Sequence, residues 1–226
     1  MSGHCREDSA LVRAMPIVLR VERARPPGRT ALLEAAASAA LAVCLDPRAQ
    51  PGGEWHAEVA AWAAGRIRKV ARRARGAHWT AVGALPGITV SVADAEVRAL
   101  VPGLVVETPR EVSRLQISGT DLPLDAPGPV PPGIPVIWLN PELELTVGKA
   151  AAQVGHATML LAAALPADRL ASWHAEELRC AVRMATLPGW LSLATEVAAG
   201  QAVAVRDAGY TEVAAGTVTC VAHWPH

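Results

Sequence analysis

Aromatic and lysine side chains are scarce in this 226-residue chain. It has no Phe and a single tyrosine, Tyr210, so Leu, Val, Ala and seven Trp must fill its interior. Only Lys69 and Lys149 are lysines among 21 basic residues, which marks both positions for inspection. With 51% apolar and 19% charged residues, a chain of this length can bury a stable core, so global disorder is excluded.

Net charge is also absent, because 21 basic residues balance 21 acidic ones. This balance removes the overall field that draws basic domains to phosphate polymers. Any contact with nucleic acid must therefore use a local basic patch.

Signals for metal binding, export and membrane insertion are missing as well. The cysteines Cys5, Cys44, Cys180 and Cys220 are far apart and form no CxxC pair and no zinc-type spacing with histidine. The start, MSGHCRED, lacks a signal-peptide layout, and Glu34 interrupts the longest apolar run. We expect a reduced, cytoplasmic protein with no metal, no cofactor and no membrane span.

A proline-rich segment divides the chain into two halves. The sequence PLDAPGPVPPGIP, from Pro123 to Pro135, excludes helix and central strand and predicts an extended linker. We therefore expect a lobe at residues 1–122, a linker at 123–135 and a second lobe at 136–226. In the second half, a strand at Pro135 to Leu139 precedes a helix at Gly148 to Leu165, and shorter strands and helices alternate after it. This order favours an α/β sandwich with a mixed sheet.

The first half predicts a similar order of elements. A strand at Met15 to Val21 precedes a helix at Arg29 to Leu45. A second helix at Glu54 to Arg75, a strand at His78 to Val82 and helical residues up to Leu100 follow. Four short matches between the halves are collinear: Gly28-Arg29 with Gly148-Lys149, WHAE at Trp55 with WHAE at Trp173, LPG at Leu85 with LPG at Leu187, and Gly119-Thr120 with Gly216-Thr217. Their common order favours an internal duplication with two similar lobes.

The segment TVGKAAAQVGHATMLL carries the clearest chemical pattern. On a helix that starts at Gly148, the residues Lys149, Gln153 and His156 fall at i, i+4 and i+7 and form a polar stripe among small apolar residues. A cation at a helix N-terminus is electrostatically unfavourable unless an anion binds there. The alternative is a surface lysine, a glutamine that bonds loop backbone, and a core histidine, and the spacing alone leaves both open.

Several familiar motifs are absent. The position that a Walker A loop needs as Gly is Leu143, and no PCxxC follows either WHAE. There is also no GxSxG and no HExxH. These gaps exclude a P-loop, a zinc deaminase, a serine-hydrolase elbow and a zincin.

Two motifs together resemble the type 2 peptidyl-tRNA hydrolases: VGKAAAQVGHAT and, later, RDAGYTEVAAGTVT. The resemblance covers about residues 135–225. It implies cleavage by water of the ester between a peptide and the 3′-terminal ribose of tRNA, with no metal. The functional positions that it implies are Lys149, Gln153, His156, Asp207, Thr211 and Thr219. An unperturbed lysine has a pKa of about 10.4, so Lys149 suits the role of a cation for the oxyanion or phosphate better than that of a base. Asp207 would pair with Lys149 and orient the water, while Thr211 and Thr219 would hold that water or ribose hydroxyls.

The hairpin motif departs from the family at two positions, where Tyr210 replaces Arg and Ala215 replaces Pro. Because the basic contact of Arg is missing, we expect tRNA to be bound elsewhere. A dense basic run on the predicted second helix contains the candidates Lys69, Arg72 and Arg73. The alternative is a solvated helix face paired with nearby acids.

The first half lacks the chemical pattern. Aligning Gly28 with Gly148 sets Arg29, Leu33 and Ala36 against Lys149, Gln153 and His156, and aligning Gly119 with Gly216 sets Arg110 against Asp207 and Arg114 against Thr211. The resemblance implies that members of the family are homodimers. We therefore expect the two halves of this chain to form that dimer internally, so that a monomer acts as a pseudo-dimer with one active site. Two alternatives remain: a non-catalytic module that binds tRNA ends or a protein partner, and a small phosphate-binding α/β protein.

Overall fold

The computed structural model describes residues 11–117, 119–209 and 212–225. It contains two α/β lobes, each built on one mixed sheet with helices packed against it. The two similar α/β lobes expected from the sequence are thus confirmed.

The N-lobe runs from β1 to α4. Its elements are β1 (Arg13–Arg20), α1 (Arg29–Leu45), α2 (His56–Ala63), β2 (Lys69–Ala74), α3 (Gly76–Gly83), β3 (Gly87–Val92), β4 (Ala95–Leu100), β5 (Gly103–Leu104) and α4 (Arg110–Ser113). The sheet has the order β2-β1-β4-β3, and the short β5 pairs with β1. Strand β1 is parallel to β2 and antiparallel to β4.

The C-lobe runs from β6 to β9 and repeats this topology. Its elements are β6 (Val136–Leu139), α5 (Val147–Ala164), α6 (Ala167–Ala175), β7 (Ala181–Met184), α7 (Leu187–Ala198), β8 (Ala202–Arg206) and β9 (Val218–His223). The order is β7-β6-β9-β8, with β6 parallel to β7 and antiparallel to β9. The carboxyl ends of β6 and β8 therefore meet at one edge of the sheet, where α5 begins.

The long helices α1 and α5 pack against each other and join the lobes. A Cβ built on Gly155 would lie 2.9 Å from Cβ of Ala40, and Thr158 Oγ1 donates to the carbonyl of Ala37 at 3.0 Å. Both contacts bring α1 and α5 into direct van der Waals and hydrogen-bond contact. A single apolar core containing residues of both lobes surrounds the helix pair.

Three predicted elements of the first half are wrong. The predicted helix from Glu54 to Arg75 is the short α2 followed by strand β2, because β2 pairs in register with β1 and this pairing overrides the helix propensity of an Ala/Arg-rich run. Residues His78 to Val82 form part of helix α3 rather than a strand, and the predicted helical residues up to Leu100 form the hairpin of β3 and β4.

Three of the four collinear matches are not structurally equivalent. LPG at Leu85 leads into strand β3, whereas LPG at Leu187 starts helix α7. Gly119-Thr120 lies beyond the sheet of the N-lobe, while Gly216-Thr217 lies in the β8–β9 hairpin. The counterpart of Trp173 is Trp62 rather than Trp55, because each indole donates to the carbonyl six residues later, at 3.0 Å for Trp62 to Arg68 and 2.8 Å for Trp173 to Arg179. The topology supports two similar lobes, and a common origin of the halves stays a prediction.

The proline-rich segment carries no helix or strand between Leu122 and Pro131. Asp125 accepts hydrogen bonds from the backbone and hydroxyl of Thr30, and Arg183 donates to the carbonyl of Gly128 at 3.2 Å. The linker is therefore fastened to both lobes. No helix in the part of the chain that the structure describes is long and apolar enough to cross a membrane.

Candidate active site

An ion pair between Lys149 and Asp207 lies at the sheet edge where α5 begins. Lys149 Nζ donates to Asp207 Oδ2, although the residues are far apart in sequence. Only 12% of the Lys149 side chain and 6% of the Asp207 side chain are exposed. The third residue of α5 and the first residue after β8 are thus brought together, as the resemblance predicted.

Three donors hold the Asp207 carboxylate. Besides Lys149, the amide of Gln153 donates to Oδ2 at 2.7 Å and the backbone N–H of Gly209 donates to Oδ1 at 2.8 Å. Burial raises the pKa of Asp207, but these hydrogen bonds outweigh it and leave the pKa below its usual range. The carboxylate is therefore charged at neutral pH.

Gly209 is required by the backbone of this turn. Its φ is +80°, and a Cβ there would lie 2.7 Å from the backbone nitrogen of Ala215. Any other residue would be strained and would collide with the hairpin. The Asp-Ala-Gly sequence therefore sets the direction of the Asp207 side chain through an Asx-type turn.

Gln153 is itself held from behind by strand β9. Thr219 Oγ1, which is fully buried, donates to Gln153 Oε1 at 2.8 Å. The pairing of β8 with β9 shifts register between Val205 and Arg206, and this bulge turns Thr219 toward α5. Because its hydroxyl is enclosed, Thr219 positions Gln153 and does not reach a ribose or a water at the surface.

Glu212 was missed by the sequence reasoning. Its carboxylate accepts from the backbone N–H of Thr146 at 3.0 Å and from the Thr146 hydroxyl at 2.7 Å. Thr146 in turn caps α5, since its hydroxyl oxygen accepts from the Lys149 N–H at 3.2 Å. In the sequence, Thr146 before the GK pair and Glu212 in the hairpin motif could have suggested this contact. Only the fold shows that the two residues are hydrogen-bonded.

His156 lies outside this cluster of hydrogen bonds. It is half-buried, and no bond joins it to Asp207 in the described residues. Burial, together with the nearby ammonium of Lys69, lowers the pKa of His156 to about 4, so the imidazole is neutral at pH 7. The predicted stripe therefore divides, with Lys149 and Gln153 at the site and His156 beside the N-lobe. Thr211, also predicted, lies outside the described residues.

The three residues predicted to bind tRNA lie on strand β2, not on a helix. Arg72 donates to the carbonyls of Ser113 at 3.1 Å and Leu115 at 3.0 Å, and Arg73 bonds Gln116 and the carbonyl of Gly119. Lys69 is only partly exposed to solvent. Its ammonium is buried 5.3 Å from the centroid of the Trp62 ring and has no hydrogen-bond partner among the described residues.

The N-lobe lacks the corresponding groups. Helix α1 carries no lysine, glutamine or histidine, and its alignment through Arg29, Leu33 and Ala36 stays a prediction. Between β3 and β4 the N-lobe has only the short turn Ala93–Asp94 in place of the hairpin that carries Asp207, so Arg110 and Arg114 are not the counterparts of Asp207 and Thr211.

Comparison with known families gives one match. Residues 135–226 match the model of the family described as Peptidyl-tRNA hydrolase PTH2, which confirms the resemblance for the second half of the chain. The first half lies outside the match. A comparison with curated proteins found no match. Within residues 11–117, 119–209 and 212–225, no group of three His, Cys, Asp or Glu residues is placed to hold a metal ion.

Proposed function

We propose, from the match of residues 135–226 to the model of a peptidyl-tRNA hydrolase family, that the C-lobe hydrolyses the ester of peptidyl-tRNA and releases peptide and free tRNA. The observation that carries the proposal is the buried Lys149–Asp207 ion pair at the N-terminus of α5. It joins the two family motifs in one place.

A lysine and a helix N-terminus lie together at the proposed reaction site. Attack on an ester puts charge on the carbonyl oxygen, and a positioned cation stabilises that oxyanion. The N-terminus of α5 adds partial positive charge at the same point. Lys149, held in place by Asp207, would bind the oxyanion or the 3′-terminal phosphate.

Asp207 would orient the attacking water. A carboxylate offers about four acceptor sites, and the described residues fill one of those on Oδ1. Its lowered pKa makes Asp207 a weak base, so its contribution is the placement of a water and the fixing of Lys149. Gln153, which donates to Asp207, and Thr219, which donates to Gln153, would keep the carboxylate in this orientation.

The test is the release of diacetyl-lysine from diacetyl-lysyl-tRNA, a model peptidyl-tRNA. Lys149→Met and Asp207→Asn should each lower kcat/KM by about a hundredfold or more, since each removes one member of the pair. Arg183→Met is the matched control, because it breaks the comparably buried Arg183–Glu34 pair away from the site. Activity of both site variants within about threefold of wild type would disprove these roles.

The same protein preparations distinguish the non-catalytic alternative. A module that only binds tRNA ends would retain deacylated tRNA in a competition assay while releasing no peptide from the charged substrate. This alternative is motivated by Tyr210 and Ala215, which differ from the family hairpin.

Phosphate contacts by Arg72 and Arg73 stay a prediction. Their guanidinium groups already bind backbone carbonyls, but five donors leave a guanidinium able to face a phosphate as well. Neutralising Arg73 should lower tRNA affinity and reduce the slope of log affinity against log salt by about one. The buried ammonium of Lys69 removes it from this set.

A further inference from the structure

The first turn of α5 is held by the N-lobe as well as by its own lobe. Arg29, the first residue of α1, donates from Nη2 to the carbonyl of Leu145 at 3.0 Å and from Nη1 to the carbonyl of Leu122 at 3.3 Å. Leu145 directly precedes Thr146, which caps α5. One side chain of the N-lobe thus binds the backbone next to the catalytic helix.

Gly148 turns the same part of α5 toward the N-lobe. A Cβ at Gly148 would lie 3.6 Å from Cβ of Ala71 on β2 and 3.6 Å from the carbonyl oxygen of Ile117. These are ordinary contact distances, so the turn rests against the N-lobe without a gap. Glu212 holds Thr146 from the hairpin of the C-lobe. The turn that presents Lys149 is therefore clamped between the two lobes.

Arg29 occupies a position that is unfavourable for a cation. It stands at the N-terminus of α1, where the helix dipole is positive, and burial lowers the pKa of its guanidinium, partly offset by Asp125. The carbonyls of Leu122 and Leu145 compensate for this environment, and both belong to segments outside the sheet of the N-lobe.

We propose that Arg29 is a positioning residue for the active site of the C-lobe, fixing the first turn of α5 through Leu145 and thereby the place of Lys149 against Asp207. The inference rests on the proposed hydrolase function. It assigns the N-lobe, which lacks the polar stripe, the task of holding the catalytic helix in register with the hairpin.

Hydrogen–deuterium exchange tests the positioning in the full chain without any assay of activity. Arg29→Met removes both donors, and amide exchange of residues 145–153 should increase about fivefold or more. The control is Arg98→Met, because Arg98 is also half-buried and donates to a backbone carbonyl, that of Leu85, within the N-lobe. Unchanged exchange at 145–153 in Arg29→Met, or an equal increase in the control, would overturn the proposal.

Turnover of diacetyl-lysyl-tRNA tests the consequence for catalysis. The kcat of Arg29→Met should fall about tenfold with KM within about twofold, because substrate contacts are kept while Lys149 is displaced. Arg29→Lys, which retains a cationic donor, should recover at least about half of the wild-type kcat, a recovery not expected if only bulk packing mattered. A kcat of Arg29→Met equal to wild type contradicts the inference.

Two further outcomes are separable. If wild-type protein releases no peptide, the proposed function fails, and the exchange experiment still decides whether Arg29 holds the turn. If Arg29→Met does not fold, Arg29→Gln keeps one amide donor and serves for the same comparison with Arg98→Met.

Discussion

Replacing Lys69 by methionine should stabilise this protein. The Lys69 ammonium is buried beside Trp62 without a hydrogen-bond partner among the described residues, and burial lowers its pKa from 10.5 to about 7. Each tenfold change in proton affinity corresponds to about 1.4 kcal/mol, so folding with this lysine charged costs about 5 kcal/mol. Methionine keeps the apolar stem and removes the charge.

The cost depends on pH in a defined direction. Between about pH 7 and 10.5 the unfolded chain binds more protons at Lys69 than the folded chain, so the free energy of unfolding rises with pH. Below about pH 7 the full cost applies, and above about pH 10.5 none remains. After about 1 kcal/mol is subtracted for the small void and the lost contact of the ammonium with Trp62, Lys69→Met should gain about 4 kcal/mol at pH 6.

Urea unfolding of both proteins at several pH values between about 6 and 9.5 measures this difference. Over that range the advantage of Lys69→Met should shrink by about 3 kcal/mol. The other lysine is the matched control with the opposite sign, because Lys149→Met leaves Asp207 buried with two donors and should destabilise by about 1–3 kcal/mol. A Lys69→Met protein no more stable than wild type at pH 6, or an advantage independent of pH, would refute the reasoning.

Three other predictions follow from the packing and the ionisation of buried groups. Gly155→Ala should destabilise by about 1–3 kcal/mol because its Cβ meets Ala40, and Ala40→Gly should relieve this in the double variant. Urea unfolding of wild type, both single variants and the double variant measures the coupling, and Gly148→Ala, which should be tolerated, is the control. Hydrolysis should decline in acid only as Asp207 protonates, below its ordinary pKa of 3.8, and the stabilisation from the pair should be lost over the same interval; a pH–rate profile falling already near neutrality would contradict this. Burial raises the pKa of the Cys180 and Cys220 thiols to about 12, so a thiol reagent at pH 8 should label them only after unfolding; rapid labelling of either one in the folded protein, located by peptide mapping, would disprove their burial.

Local patterns predicted the second half well. The helix expected from Gly148 to Leu165 is α5, Val147–Ala164, and the predicted strand at Pro135 to Leu139 contains β6. Small and apolar residues recur there at helical spacing, and Pro166 ends the pattern, so local preference and tertiary packing agree.

The first half shows where local pattern is insufficient. Lys69–Ala74 is rich in helix-favouring Ala and Arg, and only its pairing with β1 makes it a strand. The collinear matches led to the correct expectation of two similar lobes through residues that mostly do not correspond. What corresponds is the order of strands and the indole contacts of Trp62 and Trp173, which no short sequence match reveals.

The candidate site was only partly accessible from sequence. Helical spacing placed Lys149 and Gln153 together, and the resemblance supplied Asp207, because the meeting of α5 with the end of β8 is a long-range contact. The same spacing predicted His156 in the cluster, whereas in the structure it lies near Lys69 of strand β2, two turns along α5 from Lys149. Arg29 gave no signal at all, because its partners are backbone carbonyls, which any sequence provides.

The short turn Ala93–Asp94 limits how the N-lobe could be engineered into a hydrolase and how many inhibitor molecules one chain should bind. Because the whole hairpin segment that would supply an acid is missing from the N-lobe, no set of point substitutions in its helix can equip it for hydrolysis; a graft of residues 207–217 would be needed. Among the described residues, the Lys149–Asp207 pair belongs to the C-lobe alone. Under the proposed function, a tight inhibitor of that site should therefore titrate at one molecule per chain.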